Sequence, residues 1–476
     1  MVETREPSPL TRRGFLGVSA ALVAASHAGA SPRPMRRDHP VKARSHRPNI
    51  LFLFADDQRF DTIRALGNAE IRTPNLDGLV ERGTAFIHAC IMGGTHGAIC
   101  QPSRAMLMAG RTQFHVPNDI GDFITFPQWL RNDGYRTFGT GKWHNLAPSY
   151  ARSFSDGAAI FFGGMSNHQE VPIHDFDPTG AYSPDGQHIA KGFSSELFSD
   201  EAIRFLRSYD DPSPFCVYVS YTAPHDPRTA PKEFADLYDP SGLPLPPSFM
   251  SKHPFDNGEM RIRDEQLAPW PRTPEVVREH LAAYYAMITH LDHHIGRVLS
   301  ALEETGNAEN TVIMFAGDNG LAVGQHGLMG KQNLYDHSIR VPLIFAGPGV
   351  PKGAQRHGLC YLLDVFPTIC DLTGLDTPAS VEGIGLMPMI LGERETMRET
   401  TFHAYRNIQR AVRDDRHKLI EYDVEGTRTT QLFDLEGDPW ETVNLVDHPD
   451  YGHELRRLRE ELARWQRGLD DPVLSA

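Results

Sequence analysis

A short segment around one cysteine has residue types that could bind and attack an anionic ester. Cys100 is followed by Gln101, Pro102, Ser103 and Arg104, so the arginine lies four residues after the cysteine. Proline fits the first turn of a helix, and the spacing predicts a short helix over 103–109 that ends before a glycine. Cys100 would then lie at the helix N-terminus, where free backbone N–H groups favour negative charge. The alternative is a buried structural cysteine that precedes a proline turn.

Four apolar segments of strand length each end in polar residues. Continuous apolar runs of this length are typical of strands buried on both faces of a parallel sheet. The segments and the polar residues beyond them are 49–55 with Asp56 and Asp57, 311–316 with Asp318 and Asn319, 215–221 with His225, and 135–140 with Lys142 and His144. Ligands of an open α/β sheet bind beyond the carboxyl ends of its strands, so we expect these polar residues to converge on one crevice.

The residues after the first two segments form a set of hard oxygen donors. The carboxylates of Asp56, Asp57 and Asp318 and the amide oxygen of Asn319 suit Ca²⁺, with Mg²⁺ as second choice and Zn²⁺ disfavoured. The alternative is that these residues cap helices that follow the strands.

Helical segments between the strands indicate the fold that positions these residues. Helices are predicted at 76–82, 198–209 and 275–305, where they fit the crossovers of a doubly wound sheet. The expected fold class is therefore α/β, with a largely parallel central sheet flanked by helices. A length of 476 residues fits one large α/β domain with a smaller companion.

The C-terminal part of the chain has a different pattern. From residue 376 onward, strands are predicted at 402–405 and within 410–422, and a closing helix at 453–468. We therefore predict a catalytic domain over 47–375 and a smaller C-terminal α+β subdomain over 376–476, which would shape the substrate entrance.

Two ordered motifs and a tail segment resemble a known family. Cys-x-Pro-Ser-Arg at Cys100 resembles the sulfatase signature, and 324–342 has a similar order of His-Gly, Lys, Tyr-acid and Arg-Val-Pro. The resemblance continues to the segment 432–439 and covers nearly the whole chain after the leader. The chain is identified as a member of the sulfatase family, of the formylglycine-dependent type I in the alkaline phosphatase superfamily. Asp336 stands where sulfatases usually have Glu, and we expect this to matter less than loss of Lys331 would.

This resemblance implies a modified nucleophile. In the family the cysteine is oxidised to formylglycine, so Cys100 would become an aldehyde whose hydrate has two hydroxyls, one of which attacks sulfur. The implied fold is alkaline-phosphatase-like. The implied metal ligands are Asp56, Asp57, residue 100, Asp318 and Asn319. The implied catalytic residues are Cys100, Arg104, Lys142, His144, His225 and Lys331.

The resemblance also implies a role for each cationic or basic side chain. The metal and Arg104 would deprotonate and orient the hydrate, and Lys142, His225 and Lys331 would bind the sulfate oxygens. One hydroxyl attacks sulfur, and His225, with Lys331 close by, protonates the departing alcohol oxygen. His144 then takes the proton of the second hydroxyl as sulfate is expelled from residue 100. A serine at this position has no second hydroxyl, so turnover would stall.

The first thirty residues have the features of an export signal. Residues 11–17 resemble a twin-arginine motif, 18–25 is weakly apolar, and Ala-Gly-Ala at 28–30 fits a cleavage site. The apolar stretch is too short for a stable membrane anchor. Residues 31–46, rich in Pro and Arg, are predicted to be a linker. We therefore expect a periplasmic or secreted protein that meets a formylglycine-generating enzyme and the twin-arginine export machinery during maturation.

The net charge limits the classes of partner that the protein can bind, and the number of cysteines limits its possible disulfide bonds. A formal net charge of −14 argues against nucleic acid as a partner, although a local cationic pocket could still bind an anionic substrate. Five cysteines are present, and converting Cys100 leaves an even number. Those four could pair or remain as free buried thiols, and a bond between Cys360 and Cys370 is doubtful because they flank a probable helix.

Other polar residues are weaker candidates. His290, Asp292, His293 and His294 resemble a metal cluster, but they lie in an amphipathic helical pattern that favours structural or surface roles. A further set lies in loops that could contact the substrate, and nothing in the sequence ranks its members. These residues are His96, His115, Asn118, Asp119, His168, Arg228 and Trp270.

Three functions follow from these features. The first is an exported sulfatase that hydrolyses a sulfate monoester, with a carbohydrate as substrate on the basis of family habit and export. The second is a phosphonate monoester or phosphodiester hydrolase with the same fold and aldehyde. The third is an anion- or glycan-binding protein in which Cys100 remains a thiol.

Overall fold

The structure is a computed structural model, and it describes residues 47–475, which belong to one compact unit. The leader and linker predicted over 1–46 lie outside the described residues. Among the described residues, no helix has the length and apolar character needed to cross a membrane.

Seventeen strands are present in the described part of the chain. They are β1 (Asn49–Ala55), β2 (Gly83–Phe86), β3 (Ala89–Cys90), β4 (Gly93–Gly94), β5 (Arg136–Lys142), β6 (Asp156–Phe161), β7 (Pro172–His174), β8 (Gln187–Ile189), β9 (Phe215–Ser220), β10 (Thr311–Gly317), β11 (Leu343–Ala346), β12 (Ala354–Arg356), β13 (Cys360–Tyr361), β14 (Thr401–Tyr405), β15 (Gln409–Arg413), β16 (His417–Val424) and β17 (Thr427–Asp434).

Eleven α-helices accompany these strands within residues 47–475. They are α1 (Pro74–Arg82), α2 (Cys100–Ala109), α3 (Phe126–Asn132), α4 (Ala147–Ser153), α5 (Ser194–Ser208), α6 (Lys232–Ala235), α7 (Pro274–Glu304), α8 (Asp336–Ile339), α9 (Val365–Thr373), α10 (Met387–Ile390) and α11 (Gly452–Gly468).

Ten strands form the central sheet, in the spatial order β12-β2-β11-β10-β1-β9-β5-β6-β7-β8. The middle five, from β10 to β6, are mutually parallel, and the antiparallel pairs lie toward the two edges. This confirms the predicted α/β fold class with a largely parallel sheet.

Alternate residues of β1 face two different cores, which explains its unbroken apolar sequence. Leu51 and Leu53 pack in the core that includes α1, α5 and part of α7, whereas Phe52 and Phe54 pack in the core that includes α2, α3, α4 and α9. A strand covered by helices on both faces must be apolar at every position.

The four predicted strands and the long helices are present, with small differences at their ends. Lys142 was expected in a loop but is the last residue of β5, where its side chain is fully buried. The helix at the cysteine begins at Cys100 rather than at Ser103, because the backbone N–H of Ser103 already donates to the carbonyl of Ile99.

A second sheet lies in the C-terminal part, in the order β17-β16-β15-β14-β4. The segment 410–422 is two strands rather than one, since the chain turns between β15 and β16. β4, which lies only six residues before Cys100 in sequence, pairs with β14 in parallel. This pairing joins the second sheet to the loop that leads into the candidate site. The predicted domain boundary at residue 375 stays a prediction.

All five cysteines are buried free thiols, so of the two alternatives, disulfide bonds and free thiols, the structure has free thiols. The histidine-rich segment of α7 has structural contacts, as predicted. Asp292 accepts hydrogen bonds from the backbone N–H groups of Asn75 and Leu76 at the start of α1, and His290 and His294 contact each other through their Nε2 atoms at 2.9 Å.

Candidate active site

Cys100 begins α2 and lies among the polar residues that follow the parallel strands. Its side chain is buried, and its Sγ is 3.2 Å from His144 Nδ1 and 3.5 Å from Lys142 Nζ. Burial raises the pKa of the thiol above its usual value. Further along α2, the Ser103 hydroxyl donates to the carbonyl of Asp318 at 2.5 Å, which ties the start of this helix to the end of β10.

The acidic residues after β1 and β10 meet because those two strands are neighbours. Ala55 pairs with Gly317 at the end of both strands, so the residues beyond them lie side by side. The Asp57 backbone N–H donates to Asp318 Oδ1 at 2.9 Å. Ligand atoms of Asp56, Cys100 and Asp318 all lie within 4.8 Å of one another. The predicted convergence of these residues is therefore present.

This group of oxygens fits a divalent cation. Asp56 Oδ1 and Asn319 Oδ1 are buried and have no hydrogen-bond partner among the described residues. Burial and the neighbouring Asp56 raise the pKa of Asp318 to about 6, so the ionised form needs added positive charge. Carboxylate and amide oxygens are the donors that Ca²⁺ and Mg²⁺ prefer. The resemblance to sulfatases implies a metal here, and this donor set is suited to hold one.

Arg104 and Lys142 supply fixed positive charge beside these oxygens. The Nε atom of Arg104 donates to Asp318 Oδ2 at 2.9 Å, and its Nη1 donates to Ser220 Oγ at 2.6 Å. Lys142 Nζ donates to Asp56 Oδ2 at 2.6 Å. Burial alone would raise the pKa of Asp56, but the charges of Lys142, His225 and Arg104 outweigh it and hold the pKa well below its usual range. Arg104 Nη2 is buried 3.9 Å from Asp56 Oδ1, has no hydrogen-bond partner among the described residues and can still donate to a ligand.

Asp57 has different partners from Asp56. Its Oδ1 accepts from Lys331 Nζ at 2.6 Å and from Asn319 Nδ2 at 2.7 Å, and its Oδ2 is 3.6 Å from His225 Nε2. Burial would lower the pKa of Lys331, but Asp57 and Cys100 outweigh it and raise the pKa well above the usual value, so the amine is protonated. In this arrangement Asp57 orients Lys331 and His225, and its role as a metal ligand stays a prediction.

His144 lies directly against the cysteine as a neutral imidazole. Burial, with the charges of Lys142 and Arg104, lowers its pKa to about 2. Its backbone has a φ of 67°, in the left-handed region that costs energy for a residue other than glycine. The strained backbone holds the imidazole against Cys100, the position that the predicted role of His144 as a base requires.

Gly164 packs against His144, a contact that sequence reasoning did not identify. A β-carbon at residue 164 would lie 2.6 Å from His144 Nε2, which is closer than non-bonded atoms approach. The Gly-Gly pair at 163–164 was the only signal in the sequence that two segments approach closely there.

We therefore expect Gly164→Ala to lower kcat by about 10- to 100-fold, because displacing a reacting group by about 1 Å has that cost. The measurement is steady-state turnover of an aryl sulfate. Gly78→Ala is the matched control, since a β-carbon at residue 78 has no heavy atom within 4 Å. An alanine variant at 164 as active as the control would show that His144 does not need this position.

The acid at residue 336 is supported by the second sheet. Asp336 accepts from Lys418 Nζ at 2.9 Å and from Arg413 Nη1 at 3.0 Å, and Lys418 also donates to Glu441 at 2.7 Å. Glu441 in turn accepts the backbone N–H of Asp336. Asp336 and Glu441 therefore share the Lys418 amine, and neither takes part in the contacts described around Cys100.

Five of the seven loop residues that could contact the substrate have a partner within the chain. His115 pairs with Glu382, Asn118 with Thr95, and the Trp270 ring lies under the guanidinium of Arg272 at 3.6 Å. Each of these side chains therefore has a partner within the chain. The two other residues of this kind are His96, whose Nδ1 accepts from the N–H of Ala98, and Asp119, which accepts from the N–H of Gly121.

His168 was considered as a possible substrate contact, but it is buried beneath His225. Its Nε2 lies 2.8 Å from the His225 carbonyl, and its Nδ1 lies 2.9 Å from Ser194 Oγ and 3.1 Å from Thr222 Oγ1. Burial lowers the pKa of His168 to about 4, so the neutral ring donates from Nε2 to the carbonyl and accepts at Nδ1. His168 is a positioning residue for the loop that carries His225.

We expect His168→Ala to lower kcat by about 10-fold or more with a smaller change in KM. The carbonyl of His225 would lose its buried hydrogen bond, and the loop that carries His225 would no longer hold the imidazole in its orientation. His168→Gln keeps an N–H donor and should recover part of kcat. Aryl sulfate kinetics and the pH profile of kcat for both variants measure this effect. Equal losses in the two variants, with an unchanged pH profile, would indicate only a general loss of packing.

Comparisons with known proteins give matches over most of the chain. A family model described as sulfatase matches residues 48–375, and one described as N-sulphoglucosamine sulphohydrolase, C-terminal, matches residues 324–468. N-acetylglucosamine-6-O-sulfatase of Bacteroides thetaiotaomicron is 26% identical over 513 aligned positions, which cover 91% of this chain and 88% of that protein.

Two solved structures share the fold. One, described as a complex with its substrate D-glucosamine-2-N,6-O-disulfate, has a TM-score of 0.78 at 22% identity and covers 89% of this chain and 98% of that one. The phosphonate monoester hydrolase of Agrobacterium radiobacter has a TM-score of 0.70 at 24% identity and covers 90% of this chain and 97% of that one. At these identities the matches show a common fold and no more.

Proposed function

Because this chain belongs to the sulfatase family of sulfuric ester hydrolases, we propose that it is an exported enzyme that removes sulfate from a carbohydrate, with formylglycine formed at Cys100 and Ca²⁺ as its cation. The observation that carries this proposal is the placement of Cys100 at the start of a buried helix, within a group of oxygen donors and directly beside His144 and Lys142. A structural cysteine has no need of such surroundings.

Formylglycine at residue 100 and a cation beside it would supply chemistry that a thiol cannot. A hydrated aldehyde offers two hydroxyls on one carbon, and a divalent cation lowers the pKa of an oxygen beside it. The cation would be held by Asp56, Asp318 and Asn319, with Asp57 and residue 100 as the further predicted ligands. Ca²⁺ is favoured over Mg²⁺ because a mixed set of carboxylate and amide oxygens suits its less strict geometry.

The side chains around residue 100 divide the work of holding charge and moving protons. Arg104 and Lys142 are fixed by Asp318 and Asp56, so their charges need no rearrangement when an anionic ester binds. His144 is neutral and accepts a proton at Nδ1, the atom that faces residue 100.

On the opposite side, His225 and Lys331 both contact Asp57. Lys331 is protonated, and the Nδ1 of His225 donates to the Asp226 carbonyl at 2.8 Å, which leaves Nε2 to face the site. A proton delivered from His225 Nε2 with Lys331 beside it would neutralise the departing alcohol oxygen. The two histidines therefore serve the two opposite proton transfers that ester hydrolysis requires.

Two relatives support the carbohydrate part of the proposal. The matched curated protein acts on N-acetylglucosamine 6-O-sulfate by its name, and the structural relative holds a disulfated glucosamine. Export is supported by the twin-arginine segment at 11–17 and would place the enzyme in the periplasm or outside the cell.

The decisive measurement compares an aryl sulfate with an aryl phosphonate monoester on enzyme purified from a host that forms formylglycine. We expect the sulfate to have the higher kcat/KM. Faster phosphonate turnover would favour the second hypothesis, a phosphonate monoester or phosphodiester hydrolase. The fold that this chain shares with a phosphonate monoester hydrolase supports that hypothesis. Peptide mass spectrometry on the same sample shows whether Cys100 has been converted, and an unconverted, inactive protein would favour a binding role.

A further inference from the structure

One arginine beside the candidate active site has no carboxylate partner. Arg228 lies three residues after His225 and is partly exposed. Among the described residues it forms no ion pair, and its Nε is buried without any hydrogen-bond partner. A guanidinium remains charged at any physiological pH, and the partial burial of this one, with no hydrogen bond to a carboxylate, disfavours the charged form. Such a cost is typical of a site that awaits a ligand.

A neutral imidazole orients this guanidinium. Arg228 Nη1 donates to His280 Nδ1 at 2.8 Å. Burial and the charge of Arg228 lower the pKa of His280 to about 4, and the backbone carbonyl of Leu267 accepts its other ring N–H. The imidazole therefore positions Arg228 without neutralising it, which a carboxylate at residue 280 would do.

The acidic residues near Arg228 form their ion pairs with a different arginine, Arg263. Arg263 forms a two-pronged pair with Asp226 and also contacts Asp264 at 2.9 Å. Asp226 directly follows His225, so these acids could in principle have paired with Arg228. Asp226 and Asp264 lie near enough to stabilise the charge of Arg228, but among the described residues they accept no hydrogen bond from it, so its N–H donors stay available.

Arg228 is linked to the centre of the site through one aromatic side chain. Its guanidinium carbon is 5.9 Å from the centre of the Tyr284 ring, and the Tyr284 hydroxyl donates to the Asp57 carbonyl at 2.6 Å. The unpaired cation is therefore adjacent to the residue that holds Lys331 and His225. It does not take part in the contacts around Cys100 themselves.

We propose that Arg228 binds a second anionic group of the substrate, a carboxylate or a second sulfate, beside the sulfate that is hydrolysed. This inference rests on the proposed function and narrows its substrate class to sulfate esters with two anionic groups. The fork of N–H donors on arginine matches the oxygens of either group, and a second anion would give the buried Nε of Arg228 an acceptor.

The test uses pairs of sulfated sugars that differ in one anionic group only. One pair is glucosamine 2-N,6-O-disulfate and N-acetylglucosamine 6-O-sulfate, and another is a uronate-containing sulfated disaccharide and its carboxyl-reduced form. The wild type should prefer the doubly anionic member of at least one pair. Arg228→Gln should lower kcat/KM for that member by about 10- to 100-fold, mainly through KM, and change aryl sulfate turnover by less than about threefold.

Two further variants separate charge from packing. Arg228→Lys keeps the charge but loses the fork, so it should recover part of the preference. Arg263→Gln removes an arginine of similar location that is already paired, and it should change both members of a pair by the same factor. Thermal denaturation of each variant shows whether it is folded.

The outcomes distinguish this inference from the function on which it rests. A wild type that hydrolyses aryl sulfate but prefers the singly anionic member of every pair, or hydrolyses neither member, overturns the role of Arg228 and leaves sulfate ester hydrolysis in place. Equal losses in Arg228→Gln for both members also overturn it. A wild type converted at Cys100 that hydrolyses no sulfate ester would instead overturn the proposed function.

Discussion

Replacement of Cys100 by serine is expected to lower steady-state turnover of an aryl sulfate by at least about a thousandfold, the scale seen when an enzyme nucleophile is removed. Serine keeps a hydroxyl near His144 and Lys142, so attack on sulfur can still occur. It lacks the second hydroxyl on the same carbon, so the sulfated serine has no internal route to release sulfate. We therefore expect at most one equivalent of aryl alcohol per active site, followed by a stall.

Quenched-flow measurement of alcohol release separates that burst from the steady state. Cys370→Ala is the matched control, because this thiol is also buried but lies in α9, outside the group around Cys100. The control should retain wild-type turnover and its Cys100 peptide should still show formylglycine. A serine variant that turns over continuously at near the wild-type rate would show that release of sulfate does not need a second hydroxyl on residue 100.

The elements that carry these residues could be predicted from local pattern alone. Strands covered on both faces have unbroken apolar runs, and β1 and β10 therefore stand out together with the acids that follow them. The rule that parallel strands present their carboxyl ends at one edge then placed Asp56 beside Asp318 without knowledge of strand order. The register of Ala55 against Gly317 is the physical reason that this rule succeeded here.

Contacts between distant segments could not be read in the same way. β4 has only two residues, Gly93 and Gly94, and becomes a strand because β14 offers it hydrogen-bonding groups from far along the chain. Gly164 and His168 act on His144 and His225 through packing and a backbone carbonyl. Neither contact leaves a periodic signal, since each depends on how loops of different strands fold over one sheet edge.

The same limit explains why Arg228 and His168 were indistinguishable in sequence. Both lie in polar loops, and only the structure shows that His168 has all its hydrogen-bonding capacity used whereas Arg228 has a buried donor left over. A polar residue with satisfied partners supports its neighbours, and one with an unsatisfied donor indicates a missing partner.

Removal of divalent cations is expected to lower kcat/KM by at least about a hundredfold, since a metal contributes several kcal/mol to stabilising charge in such reactions. The physical reason is local. Asp56 and Asp318 lie within one buried cluster, and two oxygens there, Asp56 Oδ1 and Asn319 Oδ1, have no partner among the described residues. Lys142 and Arg104 offset part of this charge but leave those two oxygens unsatisfied.

Dialysis against a chelator, followed by titration with single cations, measures both activity and thermal stability. Ca²⁺ should restore turnover more completely than Mg²⁺, and at about 100 times its Kd it should add about 2.7 kcal/mol to the free energy of unfolding. Asn319→Ala is the informative variant, because it removes one unpartnered oxygen without changing the net charge. It should weaken Ca²⁺ dependence of both readouts together. Full activity in the chelated enzyme, with no change in melting temperature on adding Ca²⁺, would mean that Lys142 and Arg104 alone balance these carboxylates.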